Sequence, residues 1–311
     1  MKILFMGTPD FAVFSLDALC RANENVVGVV TQPDKPKGRG YTLTPPPVKQ
    51  YALEHSLSVF QPDTLKGEEF AALLDELSPE LIVVVAYGKI LPKSVLDYPP
   101  CGCVNVHGSL LPEYRGAAPM QRAIIDGKKI TGITTMYMDV GLDTGNMILR
   151  REVEIGENDN FEDMHDKLGQ CGAELLIETI AEIKKGTAPS IPQDDSLSSY
   201  AAKIEKSDCL INFDTDSETV HNLIRGLSPI PLAFTHTPDG KLLKILESRK
   251  AVLDPNRAAV GTVLSLDGGE ITVACREGSV ALLRVLPEGK GRMSSADFIR
   301  GRKIAVGDIL K

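Results

Sequence analysis

The sequence has no tryptophan, so nothing it recognises can be held by an indole. It has no apolar stretch approaching the ~20 residues of a membrane-spanning helix. The apolar run at 1–5 is too short for the core of a signal peptide. There is no surplus of positive charge: the net charge of −8 excludes a protein coated in basic surface, though not a local basic patch. The six cysteines at 20, 101, 103, 171, 209 and 275 form no CxxC pair. No His/Cys set has zinc-finger spacing, so no metal is expected. The thiols are expected to be reduced, as in a cytoplasmic protein. Internal repeats and low-complexity segments are also missing.

What is present is a chain of 311 residues, long enough for two cores. Its charge is uneven. Residues 206–311 hold 15 Lys and Arg against 13 Asp and Glu, a balance of +2, which leaves −10 for the rest. That asymmetry allows the C-terminal part to meet a polyanion.

Apolar runs at 2–6, 26–31, 81–86, 103–107, 133–138 and 147–155 read as strands. Helical spacing falls between most of them, near 47–55, 67–76, 118–126 and 160–184. Phe11, Phe14, Leu16 and Leu19 space a further helix, for which Thr8 suits the N-cap and Pro9 the first helical position. Strands alternating with helices predict an α/β fold with a doubly wound, mostly parallel sheet. The polar, Gly- and Pro-containing stretch after 186 reads as a linker. Beyond it a helix near 216–227 precedes short strands near 231–236, 241–250, 260–266, 270–275 and 279–286, the pattern of a small antiparallel barrel. The expected organisation is a catalytic domain at 1–189, a linker at 190–206 and a β-barrel domain at 207–311.

The richest segment runs from Val104 to Gly116. Alternation along a strand puts Asn105 and His107 on one face and Val104 and Val106 on the other. In a doubly wound sheet ligands sit outside the carboxyl ends of the strands, where this strand delivers an amide and an imidazole. Such a pair suits a reaction in which a carbonyl gains and loses negative charge. Taken alone, a histidine at a strand end such as His107 is more often a satisfied structural residue than a catalyst. A second segment, Met138 to Gly145, follows another strand and brackets Asp143 with glycines. Asp143 could brace that turn, or join Asn105 and His107 as a third polar group. Ser109 lacks the GxSxG setting of a nucleophile. Gly7-Thr8-Pro9-Asp10 lacks the later glycines of a dinucleotide fingerprint. The connection at 32–47 far exceeds the usual ~2–6 residues and carries Lys35, Lys37 and Arg39. It reads either as a solvated loop or as a basic finger for phosphates.

Taken together, Asn105-x-His107-x-Ser109-Leu110-Leu111-Pro112, Arg115-Gly116-Ala117-Ala118-Pro119 and Asp143-Thr144-Gly145 resemble the formyltransferase family that uses 10-formyltetrahydrofolate. Gly7 to Ala12, the loop at 32–40, Val85 to Pro92 and the added C-terminal domain resemble the members that act on a charged initiator tRNA. The resemblance covers nearly the whole chain. It implies a Rossmann-like catalytic domain and an OB-like second domain. It further implies that Asn105, His107 and Asp143 are catalytic. Folate would be bound by Ser109, Leu110, Leu111 and Pro112, with Ala86, Tyr87, Gly88 and Ile90 and the turn at 140–143. Lys35, Lys37 and above all Arg39 would sense the tRNA. The implied substrates are 10-formyltetrahydrofolate, as formyl donor, and initiator methionyl-tRNA, for a monomeric enzyme that needs no metal or membrane. Which of His107 and Asp143 is the proximal base stays open. The chain departs from the family at Pro229-Ile230-Pro231, where Pro-Trp-Pro is common. Relatives acting on small amines share the Asn/His/Asp set, but need neither the basic loop nor the second domain. A non-enzymatic RNA-binding module would not need the Asn105/His107 pair.

Overall fold

A computed structural model describes residues 1–37, 42–255 and 257–311. These fall into two compact units: Met1–Gly116, Thr131–Val153 and His165–Tyr200 in the first, Ala117–Ile130, Glu154–Met164 and Ala201–Lys311 in the second. No helix among the described residues is long and apolar enough to cross a membrane.

The first unit is built on seven strands: β1 (Lys2–Gly7), β2 (Asn25–Val30), β3 (Val59–Phe60), β4 (Leu81–Val85), β5 (Cys103–His107), β6 (Ile130–Tyr137) and β7 (Met147–Glu154). Their order across the sheet is β7-β6-β5-β4-β1-β2-β3. The pairs β1–β2, β1–β4, β2–β3 and β4–β5 are parallel, while β5–β6 is antiparallel. The central strands β4 and β5 are buried along their whole length, as expected of a sheet covered on both faces. The expected doubly wound architecture is thus present, with an antiparallel strand beside β5 that hydrophobic patterning does not distinguish. The two-residue β3 was not expected. It is too short to show a period.

Helices α1 (Asp10–Arg21), α2 (Pro47–Glu54) and α3 (Glu68–Leu77) lie between the early strands. On α1 the spacing of Phe11, Ala12, Leu16 and Leu19 gives one buried stripe, the 3.6-residue period at work. On α3 Phe70 and Leu74 enter a core with Leu4, Met6, Val30, Ile82 and Val84. The expected cap of α1 is corrected. Pro9, not Thr8, occupies the N-cap, and no side chain caps it. The Thr8 hydroxyl instead donates to the Tyr87 carbonyl at 3.0 Å and accepts from Gln32 N at 3.3 Å. It ties together the chain leaving β1, β2 and β4, at the point where strand order reverses and such sheets bind ligands.

In the second unit, a curled antiparallel half-barrel is formed by β8 (Ala233–His236), β9 (Leu242–Ala251), β10 (Val263–Ser265), β11 (Ile271–Ala274) and β12 (Ser279–Pro287) in the order β8-β9-β12-β11-β10. Register shifts in β9 between Ile245 and Ser248 are the kind of irregularity that bends a strand. A helix at Ser217–Gly226 closes one side of the core with Val220 and Ile224. Asp216 caps it by accepting from Thr219 N at 2.8 Å. A terminal helix at Ser295–Arg300 was not expected.

His165 shows how charge supports the first unit. Its ring packs edge-on to Phe11 and Phe14, with Nε2 3.3 Å from Asp10 and Nδ1 2.9 Å from Asp166. The hydrogen bond to Asp10, against the cost of burial, raises the imidazole pKa. The folded form therefore holds the proton more tightly than the unfolded chain. The stabilisation is complete below the ordinary imidazole range and is lost as pH rises through the raised value. The stability difference between wild type and His165→Gln should accordingly shrink as pH rises above the ordinary imidazole range. Urea unfolding at a series of pH values checks this; a difference that grows with pH would contradict it.

Candidate active site

Residue alternation on β5 turns Asn105 and His107 to one face of the sheet, with Asn105 opposite Met136 and His107 opposite Thr134 on β6. Both polar side chains are nearly buried, at 9% and 5% exposure. His107 Nε2 lies 2.9 Å from the Tyr114 carbonyl oxygen. A carbonyl can only accept, so Nε2 carries hydrogen and donates. In the neutral ring this leaves Nδ1 as the nitrogen with the lone pair. Nδ1 faces Asp143 Oδ2 at 3.7 Å, the spacing of an ion pair once the ring is protonated. Among the described residues no protein group hydrogen-bonds the Asn105 carboxamide.

Asp143 does not arrive by strand direction alone. Because β6 is antiparallel to β5, Tyr137 lies opposite Val104, and Met138 N donates to Cys103 O at 2.8 Å. The chain thus leaves β6 beside the start of β5 and must fold back to reach His107. Two features shape that return. Asp143 takes a left-handed backbone, φ 53°, uncommon for a residue with a side chain. At Gly145 an added Cβ would stand 1.7 Å from the Tyr137 carbonyl oxygen, so only glycine fits. The carboxylate is then fixed by Gly116 N, which donates to Asp143 Oδ2 at 2.8 Å.

The turn after β5 is pinned from β6. The buried Thr134 hydroxyl donates to Ser109 O at 2.7 Å and accepts from Leu111 N at 3.0 Å. Leu111 is fully buried with Met136 and Met147, a contribution of roughly 1.5–3 kcal/mol for a side chain of this size.

Residues 1–180 match the formyl transferase family and residues 203–303 match the formyl transferase C-terminal domain. The chain belongs to the formyl transferase family. The methionyl-tRNA formyltransferase of Ruminiclostridium cellulolyticum is 48% identical over 310 residues, covering 100% of this chain and 99% of that protein. That of Desulforamulus reducens is 48% identical over 310 residues, covering 100% and 98%. Among solved structures, an N-formyltransferase from Helicobacter canadensis in complex with folinic acid and dTDP-3-aminofucose has a TM-score of 0.66 at 19% identity, covering 91% of this chain and 98% of that one. HypX from Aquifex aeolicus in complex with tetrahydrofolic acid has a TM-score of 0.64 at 17% identity, covering 96% of this chain and 47% of that one. At these identities both solved structures bear on the formyl transferase fold alone.

Within this formyl transferase the expected site residues separate. Asn105, His107 and Asp143 come together. Leu110 and Pro112 are half-buried, whereas Ser109 is fully buried and its hydroxyl donates to Glu113 O at 2.6 Å. Along 109–112 it is thus the side chains of Leu110 and Pro112 that are partly exposed, while the Ser109 hydroxyl is engaged within the protein. After β4, Ala86, Gly88 and Ile90 are exposed, Ile90 to 85%. Tyr87 points the other way: its ring is in the core. Its hydroxyl has no protein partner among the described residues, and burial pushes its pKa up to about 12. Val140 and Leu142 also expose large apolar side chains. Lys35 is exposed on a short strand, Lys35–Lys37, paired with Thr42–Thr44. Arg39, with Gly38, Gly40 and Tyr41, lies outside the described residues, and the side chain of Lys37 is likewise not described.

Three residues at this site were not singled out from sequence: Tyr114, whose backbone carbonyl orients His107; Thr134; and Gln193, which lies in the stretch read as a linker. Thr134 left a signal, since Thr131, Thr134 and Thr135 put buried hydroxyls on a strand beside β5. Gln193 left none. Its amide donates to the carbonyls of Asp143 and Gly145, both at 2.8 Å.

The close approach at Gly145 yields a direct test. Gly145→Ala should leave a folded protein whose turn at 139–145 has shifted. Displacing a reacting group by about 1 Å can cost ~10²-fold in rate, so formyl transfer should fall by about that factor. Steady-state kinetics beside circular dichroism measures it, and a full wild-type rate would show that the turn can move without consequence.

Proposed function

We propose that this formyl transferase moves the formyl group of 10-formyltetrahydrofolate to the free α-amino group of methionyl initiator tRNA, giving the formylmethionyl-tRNA used in translation initiation. The observation that carries this reading is the end-to-end likeness to methionyl-tRNA formyltransferases, 48% identity over 310 residues with both domains included. The grouping of Asn105, His107 and Asp143 in the catalytic unit supports it chemically.

The α-amine attacks the formyl carbon, and negative charge builds on the formyl oxygen. The Asn105 carboxamide, held on a rigid strand and without a hydrogen-bond partner among the described residues, supplies an N–H donor to that oxygen. Such a preorganised donor costs no reorganisation at the moment of reaction. As the amine adds it must lose a proton, and the folate nitrogen that departs must gain one. His107 can exchange a proton only at Nδ1, because Nε2–H is engaged by Tyr114. Asp143 at 3.7 Å balances the imidazolium while that proton is held and keeps the ring turned for the transfer. When charged, His107 also adds positive potential near the formyl oxygen. The amine attacks only when neutral, so the rate falls at low pH.

The exposed apolar groups Ile90, Val140 and Leu142 and the backbone of 86–90 and 109–112 support a site for a flat heteroaromatic donor such as a folate. Lys35, Lys37 and Arg39 on the long loop supply cations for the acceptor end of the tRNA, with Arg39 the leading residue. Cations of the C-terminal domain add phosphate contacts, so tRNA binding weakens as salt rises.

The test is an acceptor assay. Purified protein is given 10-formyltetrahydrofolate with charged initiator methionyl-tRNA, an amino-sugar nucleotide, or glycinamide ribonucleotide. Formyl-methionine should form on the tRNA, and Asn105→Ala should lower kcat by roughly 10²–10³-fold. Formylation of only a small amine would overturn the acceptor assignment. A fully active, folded Asn105→Ala protein would overturn the role of Asn105.

A further inference from the structure

The stretch at 190–199 does more than connect two domains. It runs across both loops that carry the catalytic groups and hydrogen-bonds to each. Met147 N donates to Ile191 O at 2.8 Å and Ile191 N to Met147 O at 2.9 Å, which fixes the chain just past the Asp143 turn. Asn146 Nδ2 donates to Ser190 Oγ at 2.9 Å. At the other end, Ser199 Oγ accepts from Tyr114 N at 2.8 Å and Ser199 O accepts from Arg115 N at 2.9 Å. These are the residues flanking the carbonyl that orients His107.

Gln193 stands between these anchors and uses all of its hydrogen-bonding capacity. Its two N–H groups go to the carbonyls of Asp143 and Gly145, both at 2.8 Å. Its oxygen accepts from Arg115 Nε at 3.0 Å and Arg115 Nη2 at 2.8 Å. Arg115 Nη2 also donates to Asp195 Oδ1 at 2.7 Å. Gly116, the residue after Arg115, donates its N–H to the Asp143 carboxylate. Asp143 is thus held at both ends: its carbonyl by Gln193 and its carboxylate by Gly116, with Arg115 joining the two holders. A left-handed backbone at a residue with a side chain persists only where its surroundings fix it, and this set of bonds fixes it.

We propose that Gln193 is a positioning residue for Asp143, setting the turn that places the carboxylate beside His107. This rests on the reading of Asp143 as the group that works with His107 in proton transfer. Gln193 spends its hydrogen bonds on Asp143, Gly145 and Arg115 and is assigned no contact with substrate or reacting atoms. It acts by holding the turn and by transmitting the Arg115 guanidinium to it.

Two variants separate the contributions. Gln193→Met keeps the length and removes every hydrogen bond. Gln193→Glu keeps an acceptor for Arg115 but sets a carboxylate against two carbonyls. The side chain is half-buried near the surface, so both proteins should fold. For both, kcat should drop about 10–100-fold, the range in which small misplacements of reacting groups fall, with KM for 10-formyltetrahydrofolate and for methionyl-tRNA unchanged. Gln193→Glu should be the worse. In an Asp143→Asn background, Gln193→Met should add no further loss, since residues acting through one another are not additive. A wild-type kcat in Gln193→Met, or an equal further loss in the Asp143→Asn background, would overturn the positioning role while leaving Asp143 catalytic. A wild-type kcat in Asp143→Asn itself would instead overturn the underlying reading of Asp143.

Discussion

The mechanism proposed for this formyl transferase depends on one hydrogen bond, from His107 Nε2 to the Tyr114 carbonyl at 2.9 Å. A backbone carbonyl cannot give a proton, so the bond fixes both the orientation of the ring and which nitrogen carries hydrogen. With Nε2 committed, Nδ1 keeps the lone pair of the neutral ring, and it is turned toward Asp143. Each surrounding element serves that arrangement. The strand β5 brings Asn105 and His107 to one face. Thr134 and the buried Leu111 hold the turn that leads to Tyr114. Gly116 and Gln193 hold Asp143 against it.

The parts of this design that obey a simple period were legible in the sequence. Strand alternation placed Asn105 and His107 on one face, and helical spacing placed Phe11, Leu16 and Leu19 in the core. The alternation of strands and helices gave the doubly wound sheet and its order of elements. Other parts have no periodic signal. The direction of β6 is invisible to hydrophobic patterning, because a buried strand reads alike in both directions; the route by which Asp143 reaches His107 was therefore not derivable. Thr8 looked like a helix cap because its side chain suits one, but a tertiary hydrogen bond to Tyr87 won. Gln193 sits in a polar stretch whose composition is that of a linker, and only the folded chain shows whom it touches. From the residues alone Asp143 was either a brace for its turn or a third polar group beside Asn105 and His107; the family resemblance implied the second, and the structure sets its carboxylate 3.7 Å from His107 Nδ1.

The proposed choice of acceptor rests on other parts of the chain. The long connection after β2 starts from a well-anchored root: Lys49 Nζ lies 2.9 Å from both Asp34 carboxylate oxygens and 2.7 Å from Gln61 Oε1. Lys49, and then Gln61, hold the Asp34 carboxyl below its ordinary range. A loop rooted in this way can present cations outward at Lys35 without loosening the sheet edge behind it. The second domain carries its own core, from Val220 through Leu282 to Leu310. It therefore offers a separately stabilised surface for a macromolecular substrate. The two features together match an acceptor far larger than a metabolite.

Tyr114 sets the tautomer of His107 and leaves Nδ1 to Asp143. Heteronuclear NMR of the imidazole nitrogens, on protein labelled at histidine, measures this directly. Neutral His107 should carry its hydrogen on Nε2, with Nδ1 showing the shift of an unprotonated nitrogen. A neutral ring with hydrogen on Nδ1 would contradict it.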